Sequence, residues 1–344
     1  MAISIYMDYA SATPVDEQVL RVMEPYLVDK FYNPAANYLA ARQAKADLIE
    51  AKKRIAAHLG VTHSELIMTS GGSESNNLAI GGVMAKFPGK KVLLSAIEHE
   101  SVIKPTEKYK HNFISVDKNG LVDLGSLDKI GDEVMLVSVM LANNEVGSVQ
   151  PISRIAAKIR DTRRQRQKRK VNLPLYFHTD AAQAPLYLDI NAHRLGVDLM
   201  TLNGGKIYGP KQTGVLFVAK NVQLEPQIHR GGQQRGLRYG SESVAQSVGM
   251  AAALDKAASL RSSESARLKQ LQADFIEGLK RLNPQIVING PPKHRLPANI
   301  HVTFPEADNE RLLFQLDEAG IMAAAGSACS AKSNLSLSAS GKVT

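Results

Sequence analysis

Short apolar runs that alternate with helix-like segments constrain the fold of this chain more than any other feature. Seven such runs occur in the first part of the chain: ELIMTS, KKVLLSA, NFISV, VMLVSVM, LPLYFHTD, VDLMTLN and GVLFVAK. Nearly continuous apolar runs are typical of strands that are buried on both faces. Strands that alternate with periodic helices favour a parallel, doubly wound sheet. The sequence therefore predicts an α/β domain, followed after a long helix at residues 242–282 by a smaller α+β unit.

An acid and a lysine follow two of the predicted strands. These strands are residues 173–177 and 197–202; Asp180 follows the first, and Lys206 follows the second after an Asn-Gly-Gly sequence. Ligands of such sheets bind outside the carboxyl ends of the strands, so we expect both side chains in one crevice. The glycine pair lets a ligand approach closely. Pyridoxal phosphate enzymes need this pair, because the lysine forms the Schiff base and the acid keeps the ring nitrogen protonated.

The segments HTDAAQ and GGKIYGPKQTGVLFV resemble those of cysteine desulfurases of the NifS/IscS type, in the class V aminotransferase group. The resemblance runs from IYMDYASATPVD at residues 5–16 to GSACSAKS at residues 326–333. It implies the type I fold of pyridoxal phosphate (PLP)-dependent transferases. Residues 15–245 would form the large cofactor-binding domain, and residues 1–14 and 246–344 the small one. It also implies PLP as the cofactor, L-cysteine as the substrate and a homodimer as the active unit.

Composition narrows the class of site and the location of the protein. The 344 residues include one cysteine, Cys329, which excludes an internal disulfide and a zinc site built on several cysteines. We predict no metal site. No apolar run approaches the length that crosses a bilayer, and the first residues lack the pattern of a signal peptide. We therefore predict a cytoplasmic protein that does not associate with membranes.

A glycine turn in TSGGSESNN is a candidate phosphate site. Backbone N–H groups at a helix N-terminus together with a hydroxyl favour an anion, although glycine turns before helices are common. The resemblance implies that Gly72 and Ser73 bind the cofactor phosphate. It also places Asn203 and Gly205 where the family usually has serine and histidine; Asn203 can still donate a hydrogen bond to the cofactor, whereas Gly205 has no side chain. The hydroxyl of Ser241 is implied to reach the site of the partner subunit.

Three further polar residues are candidates for the crevice. His99 follows a predicted strand, and an imidazole titrates near neutral pH, although a lone histidine is more often a satisfied polar residue. The resemblance implies that it stacks on the cofactor ring and helps to move protons. Asn144, which could equally form a turn with Asn143, is implied to hold the substrate carboxylate. Gln183 is implied to bond the phenolic oxygen of the cofactor.

Cys329 is the candidate nucleophile. A lone cysteine is usually a small buried hydrophobe, but this one lies among Ser, Ala and Gly, where we expect an exposed loop and a reactive thiolate. The resemblance implies that it takes sulfur from the substrate as a persulfide and passes it to an acceptor protein, either an iron–sulfur scaffold or a tRNA-thiolation relay. The family continues beyond this loop with an arginine that pairs with the substrate carboxylate. The sequence ends at Thr344, so we expect a truncated product, a trimmed chain or a degenerate member.

The run RDTRRQRQKRK at residues 160–170 carries seven basic residues in eleven and resembles an insertion relative to the family. One interpretation is a solvated helix end whose cations suit the helix dipole. The other is an electrostatic contact with an acidic protein or RNA.

Two functional alternatives to a desulfurase remain open. One is another class V PLP enzyme, such as a selenocysteine lyase or an aminotransferase. The other is a non-catalytic PLP-fold protein that docks through the basic run. A nicotinamide dehydrogenase is poorly supported, because no G-x-G-x-x-G sequence opens a helix after a strand.

Overall fold

A computed structural model describes residues 4–128, 130–228, 232–305 and 307–326. Its strands are β1 (Ile5–Tyr6), β2 (Leu66–Thr69), β3 (Lys91–Ser95), β4 (Lys110–Ile114), β5 (Val134–Ser138), β6 (Tyr176–Asp180), β7 (Leu199–Asn203), β8 (Gly214–Val218), β9 (Val287–Asn289), β10 (His301–Thr303) and β11 (Ile321–Met322). Its α-helices are α1 (Glu17–Met23), α2 (Pro25–Val28), α3 (Leu39–Leu59), α4 (Gly72–Lys86), α5 (Glu100–Thr106), α6 (Ile152–Lys168), α7 (Ala192–Leu195), α8 (Val244–Leu282) and α9 (Asn309–Glu318).

The central sheet has seven strands in the order β2-β8-β7-β6-β5-β3-β4. The strands from β7 to β4 are parallel, and β8 runs antiparallel to both of its neighbours, β2 and β7. Every residue of β5, β6 and β8 is buried, which explains why their sequences lack polar alternation. The predicted α/β class with a mainly parallel sheet is confirmed.

Helices cover both faces of this sheet. Phe177 points toward the face covered by α3, α6 and α8, and the neighbouring Tyr176 points toward the face covered by α4 and α5. Successive side chains of a strand alternate in direction, so each buried strand contributes to both cores. The carboxyl edge of the sheet stays open between these layers, where the loops after the strands lie.

The two predicted strands near the acid and the lysine lie later in the chain than expected. The first is β6 rather than residues 173–177, and the second is β7 rather than residues 197–202. Residues 173–175 cannot extend β6, because Pro174 has no N–H and the carbonyls of Pro174 and Leu175 accept hydrogen bonds from Arg166 and Arg163. Asp180 is therefore the last residue of its strand rather than a loop residue.

The long helix α8 leads from the sheet to smaller elements. Ser243 caps it by accepting from the Gln246 N–H. Beyond it, β9 and β10 form an antiparallel pair, and β11 pairs in parallel with β1. The β1–β11 pair brings the first residues to the later part of the chain, as the predicted small domain requires. The division at residues 15 and 245 stays a prediction. Over the described ranges, no helix is both long and apolar enough to span a membrane.

The basic run begins in the second half of α6 and continues two residues beyond its end, and several of its side chains bind other parts of the chain. Arg166 is only 2% exposed and donates to the carbonyls of Pro174, Gly131 and Val134. Arg163 pairs with Asp198, and Arg169 forms a two-pronged pair with Asp132. The interpretation as a solvated helix end is wrong for Arg166, because its guanidinium supplies donors to backbone carbonyls that burial removes from water. Arg160, Arg164, Lys168, Arg169 and Lys170 remain exposed.

Candidate active site

One pocket at the carboxyl edge of the sheet collects most of the predicted site residues. Its lining includes Gly72, Ser73, His99, Asn144, Asp180, Gln183, Asn203 and Lys206. Ser241 is exposed and does not belong to the described lining. Cys329 lies outside the described residues, but Gly326, three positions earlier in the sequence, lines the same pocket.

The sheet register explains how distant parts of the chain meet here. Gly214 of β8 pairs with Thr69 of β2 on one side and with Asn203 of β7 on the other. The glycine turn after β2 therefore lies beside the end of β7. A Cβ on Gly214 would lie 2.5 Å from the Gly71 carbonyl carbon, so only glycine permits this approach.

Asp180 is held by donors at the base of the pocket. Its side chain is buried; Oδ2 accepts from Asn76 Nδ2 at 2.7 Å, and Oδ1 accepts from the Ala182 N–H at 2.9 Å. Both oxygens of the carboxylate therefore have a donor, which fixes its orientation. Asn76 lies on α4 and also donates to Ser101 Oγ at 2.8 Å. Sequence reasoning missed Asn76, although its place four residues after Gly72 on the helix that opens at the pocket was a usable signal.

His99 is positioned by the start of α5. It is the N-cap residue, and its Nδ1 accepts from the Ser101 N–H at 3.1 Å. Because a backbone N–H can only donate, Nδ1 must be the acceptor, and the neutral ring carries its proton on Nε2. The ring therefore has an N–H donor on the nitrogen that does not bind the helix end.

The glycine turn and Asn203 form the second end of the pocket. α4 begins at Gly72, so its first backbone N–H groups have no helical acceptor and carry the positive end of the helix dipole. A Cβ on Gly72 would lie 3.4 Å from Asn203 Nδ2, which places that amide beside the turn. Asn203 Oδ1 accepts from the Gly205 N–H at 3.0 Å. The orientation leaves the Asn203 amide donor toward the turn.

Lys206 lies on a single 3-10 turn, Gly204–Lys206, that follows β7. Its Nζ donates to the Ala10 carbonyl at 2.8 Å and to the Ser11 carbonyl. Gln183 Nε2 donates to the same Ala10 carbonyl at 2.9 Å. The segment before α1 therefore binds both predicted cofactor ligands through its backbone. The sequence could not reveal this, because backbone carbonyls carry no residue signature.

The two asparagines after β5 have different roles. Asn143 shapes the turn, since its Oδ1 accepts from the N–H groups of Glu145 and Val146 and its Nδ2 donates to the Ile97 carbonyl. Asn144 lines the pocket. The interpretation as a turn-forming residue therefore applies to Asn143, whereas the Asn144 side chain can contact a ligand.

A residue from the later part of the chain holds this loop. Asn299 Nδ2 donates to the carbonyls of Asn144 at 3.2 Å and Glu145 at 2.9 Å. Gly147 has a φ of +74°, and a Cβ there would lie 2.6 Å from Asn299 Oδ1, so glycine makes the approach feasible. Gln272 of α8 donates to the Asn299 carbonyl at 2.6 Å. Asn299 is a second residue that sequence reasoning missed.

Comparisons with known proteins agree with this arrangement. The family described as "Aminotransferase class-V" matches residues 5–343. The chain is 36% identical over 337 residues to cysteine desulfurase IscS of Dictyoglomus turgidum, covering 96% of this chain and 83% of that protein. It is 38% identical over 335 residues to cysteine desulfurase IscS 1 of Archaeoglobus fulgidus, covering 95% and 84%.

Solved structures give the same result. A NifS-like protein superposes with a TM-score of 0.86 at 31% identity, covering 93% of this chain and 87% of that one. SspA in complex with cysteine superposes with a TM-score of 0.82 at 31% identity, covering 98% and 95%. The fold, the grouped pocket residues and these similarities together place the chain in the class V aminotransferase family, among the cysteine desulfurases of the NifS/IscS type.

Proposed function

We propose that this protein is a PLP-dependent cysteine desulfurase that converts L-cysteine to L-alanine and forms a persulfide on Cys329. The observation that carries the proposal is that Asp180 and Lys206, from adjacent strands, line one pocket with His99. The cysteine desulfurase relatives and the cysteine-bound neighbour support the choice of substrate.

The pocket residues fit the cofactor at each of its functional groups. Lys206 supplies the amine for the aldehyde. The start of α4 with Ser73, together with Asn203, supplies donors for the phosphate. Gln183, which lines the same pocket, would bond the phenolic oxygen.

The other end of the pocket fits the ring nitrogen. The buried Asn76 Oδ1 has no hydrogen-bond partner within the described chain, and the Asp180 carboxylate lies beside it. Two acceptors at this position suit a protonated nitrogen. When bound, PLP supplies an electron sink that stabilises negative charge at the substrate Cα.

The residues of the chain then act on the substrate. Asn144 orients the substrate carboxylate; the described lining contains no arginine that could do so. The Lys206 amine removes the Cα proton. His99, whose neutral form carries a proton on Nε2, assists proton transfer. The Asp180 carboxylate is oriented by its Asn76 and Ala182 donors.

Sulfur transfer needs the Cys329 thiolate. It attacks the substrate sulfur, the bond between that sulfur and Cβ breaks, and Cβ takes up the electron pair and a proton. The products are L-alanine and a persulfide on Cys329, so no external oxidant or reductant is needed. Gly326 in the pocket supports an approach from this segment. An iron–sulfur scaffold or a sulfur relay to tRNA would accept the sulfur in the cytoplasm.

We further propose that the protein is a homodimer in which Ser241 reaches the active site of the partner subunit. Large apolar side chains are exposed in the segment around α2, including Leu27, Val28, Phe31 and Leu39 at 59–75%. Clustered exposed apolar groups mark association surfaces. The exposed cations of the basic run remain candidates for an acidic partner.

Intact mass of the purified protein tests the function directly. We expect cofactor mass on the wild-type chain and, after L-cysteine is added, one extra sulfur atom together with released alanine. The Cys329→Ala variant should gain no sulfur. If that variant keeps full sulfide output, the desulfurase mechanism is wrong. Preferential turnover of selenocysteine or cysteine sulfinate would favour the other class V enzymes, and a protein that gains no absorbance with PLP would favour the non-catalytic alternative.

Replacing Asn299 with alanine should raise the KM for L-cysteine about tenfold and change kcat little, since hydrogen bonds that hold the Asn144 loop are lost. The matched control is Asn289→Ala, whose amide binds His301 and Thr303 within the β9–β10 pair. Steady-state alanine formation measures both constants. An unchanged KM in the Asn299 variant would show that the contact does not position Asn144.

A further inference from the structure

Glu98 is a buried acid that the proposed reaction does not use. It lies between β3 and α5, directly before His99, and is 6% exposed. Its Oε1 accepts from the Met140 N–H at 2.6 Å. Its Oε2 is buried and has no hydrogen-bond partner within the ranges that the structure describes. An ionised carboxylate buried with one donor would lose most of its solvation without replacement.

The groups around Glu98 also disfavour its charge. Burial raises the pKa of Glu98 to about 8; the Met140 hydrogen bond opposes this shift, and the like charge of Asp180 on β6 adds to it. His178, two residues before Asp180, is fully buried, and burial lowers its pKa to about 3, so it is neutral. In the loop after β5, the Asn143 amide donates to the Ile97 carbonyl rather than to Glu98. Lys206 donates to the Ala10 carbonyl.

We propose that Glu98 is a neutral carboxylic acid in the working enzyme and acts as a positioning residue beneath the pocket. Its Oε1 fixes Met140, a pocket-lining residue, and its neutral state adds no further negative charge beside Asp180. Loss of its proton places a second anion beside Asp180. The part of this inference that concerns the cofactor end rests on the proposed function, whereas the protonation state does not.

The Glu98→Gln variant tests whether the Glu98 side chain is neutral or ionised. The amide keeps an acceptor for the Met140 N–H and cannot ionise. Glu98 holds its proton more tightly in the folded state than in the unfolded state, where its pKa is about 4.3. Wild-type stability should therefore fall as pH rises from that value toward 8, then level off. The melting temperature of the variant relative to wild type should rise by about 5 °C or more between pH 5 and pH 8.

Thermal unfolding of the purified proteins across this pH range measures the difference. Glu100→Gln is the matched control, since Glu100 is partly exposed. The melting temperature of this variant should change with pH in the same way as that of wild type. If the melting temperature of Glu98→Gln also changes with pH in the same way as that of wild type, the proposal is wrong. If that variant fails to fold, Asp180→Asn provides the second test. This variant keeps Glu98 but lacks the neighbouring charge, so Glu98 should titrate at a lower pH than in the wild-type protein. An unchanged pH dependence of the melting temperature would overturn the proposal.

The visible absorbance of bound cofactor tests the coupling to the pocket. Wild type should show a spectral transition near pH 8 that Glu98→Gln lacks. The same transition in both proteins would overturn the coupling. Neither measurement uses L-cysteine, so the two proposals can fail separately. A protein that forms no persulfide would refute the desulfurase proposal. The assignment of Glu98 would still hold if the melting temperatures of Glu98→Gln and wild type diverge with pH.

Discussion

Replacing Lys206 with alanine should yield a protein without the visible absorbance of bound PLP and with activity reduced by about 10⁴-fold or more. In the proposed mechanism the amine is both the attachment point for the aldehyde and the base that takes the Cα proton, so one truncation removes two functions. Lys206→Arg should be equally inactive, because it keeps a positive charge near the Ala10 and Ser11 carbonyls but supplies no amine nucleophile. Absorbance spectra and alanine release measure the two effects.

Lys211→Ala is the matched control for this variant. Lys211 is exposed and donates to the Thr13 carbonyl on the same segment that Lys206 contacts. Its loss removes a comparable lysine–carbonyl contact outside the pocket, so absorbance and activity should persist. Normal cofactor absorbance in Lys206→Ala would contradict the assignment of the lysine.

Replacing Asp180 with asparagine should lower kcat by about 10²–10³-fold, the usual cost of removing one preorganised electrostatic contact. The amide has nearly the same shape but no charge, so it cannot hold a proton on the ring nitrogen. It also turns one of its two positions into a donor, which conflicts with either Asn76 Nδ2 or the Ala182 N–H. Weaker cofactor retention should accompany the loss of rate.

Asp189→Asn serves as the control for the charge change. Asp189 pairs with Arg194 on the surface, away from the pocket lining, so its substitution should leave kcat unchanged. Steady-state alanine formation with added PLP separates rate from cofactor occupancy. Full kcat in Asp180→Asn would show that the ring nitrogen needs no anion in this protein.

Sequence reasoning located the central chemistry because parallel strands share an edge. The apolar runs identified the strands of the sheet, and Asp180 and Lys206 followed two of them that prove adjacent. The strand bounds were wrong by two or three residues at their starts, since the Pro174 region supplies carbonyls to arginines instead of to a sheet neighbour. The family motifs then supplied six further residues of the pocket lining, namely Gly72, Ser73, His99, Asn144, Gln183 and Asn203.

What supports these residues could not be read in advance. The Ala10 and Ser11 carbonyls, the Asn299 amide and the orphaned Glu98 oxygen act through contacts between segments far apart in the chain. The burial of Arg166 could not be predicted either, because the sequence of a basic run does not indicate which of its side chains is buried. Its partners are backbone carbonyls, which look alike in every sequence.

The sequence by itself determined the class of fold and supplied the candidates for the reacting groups, because hydrophobic periodicity and side-chain chemistry are local properties. Only the tertiary structure decided how those groups are held and charged. Hydrogen-bond partners, burial and neighbouring charge depend on residues that meet through the strand order, and they set the donors on Asp180, the proton on His99 and the neutral state proposed for Glu98.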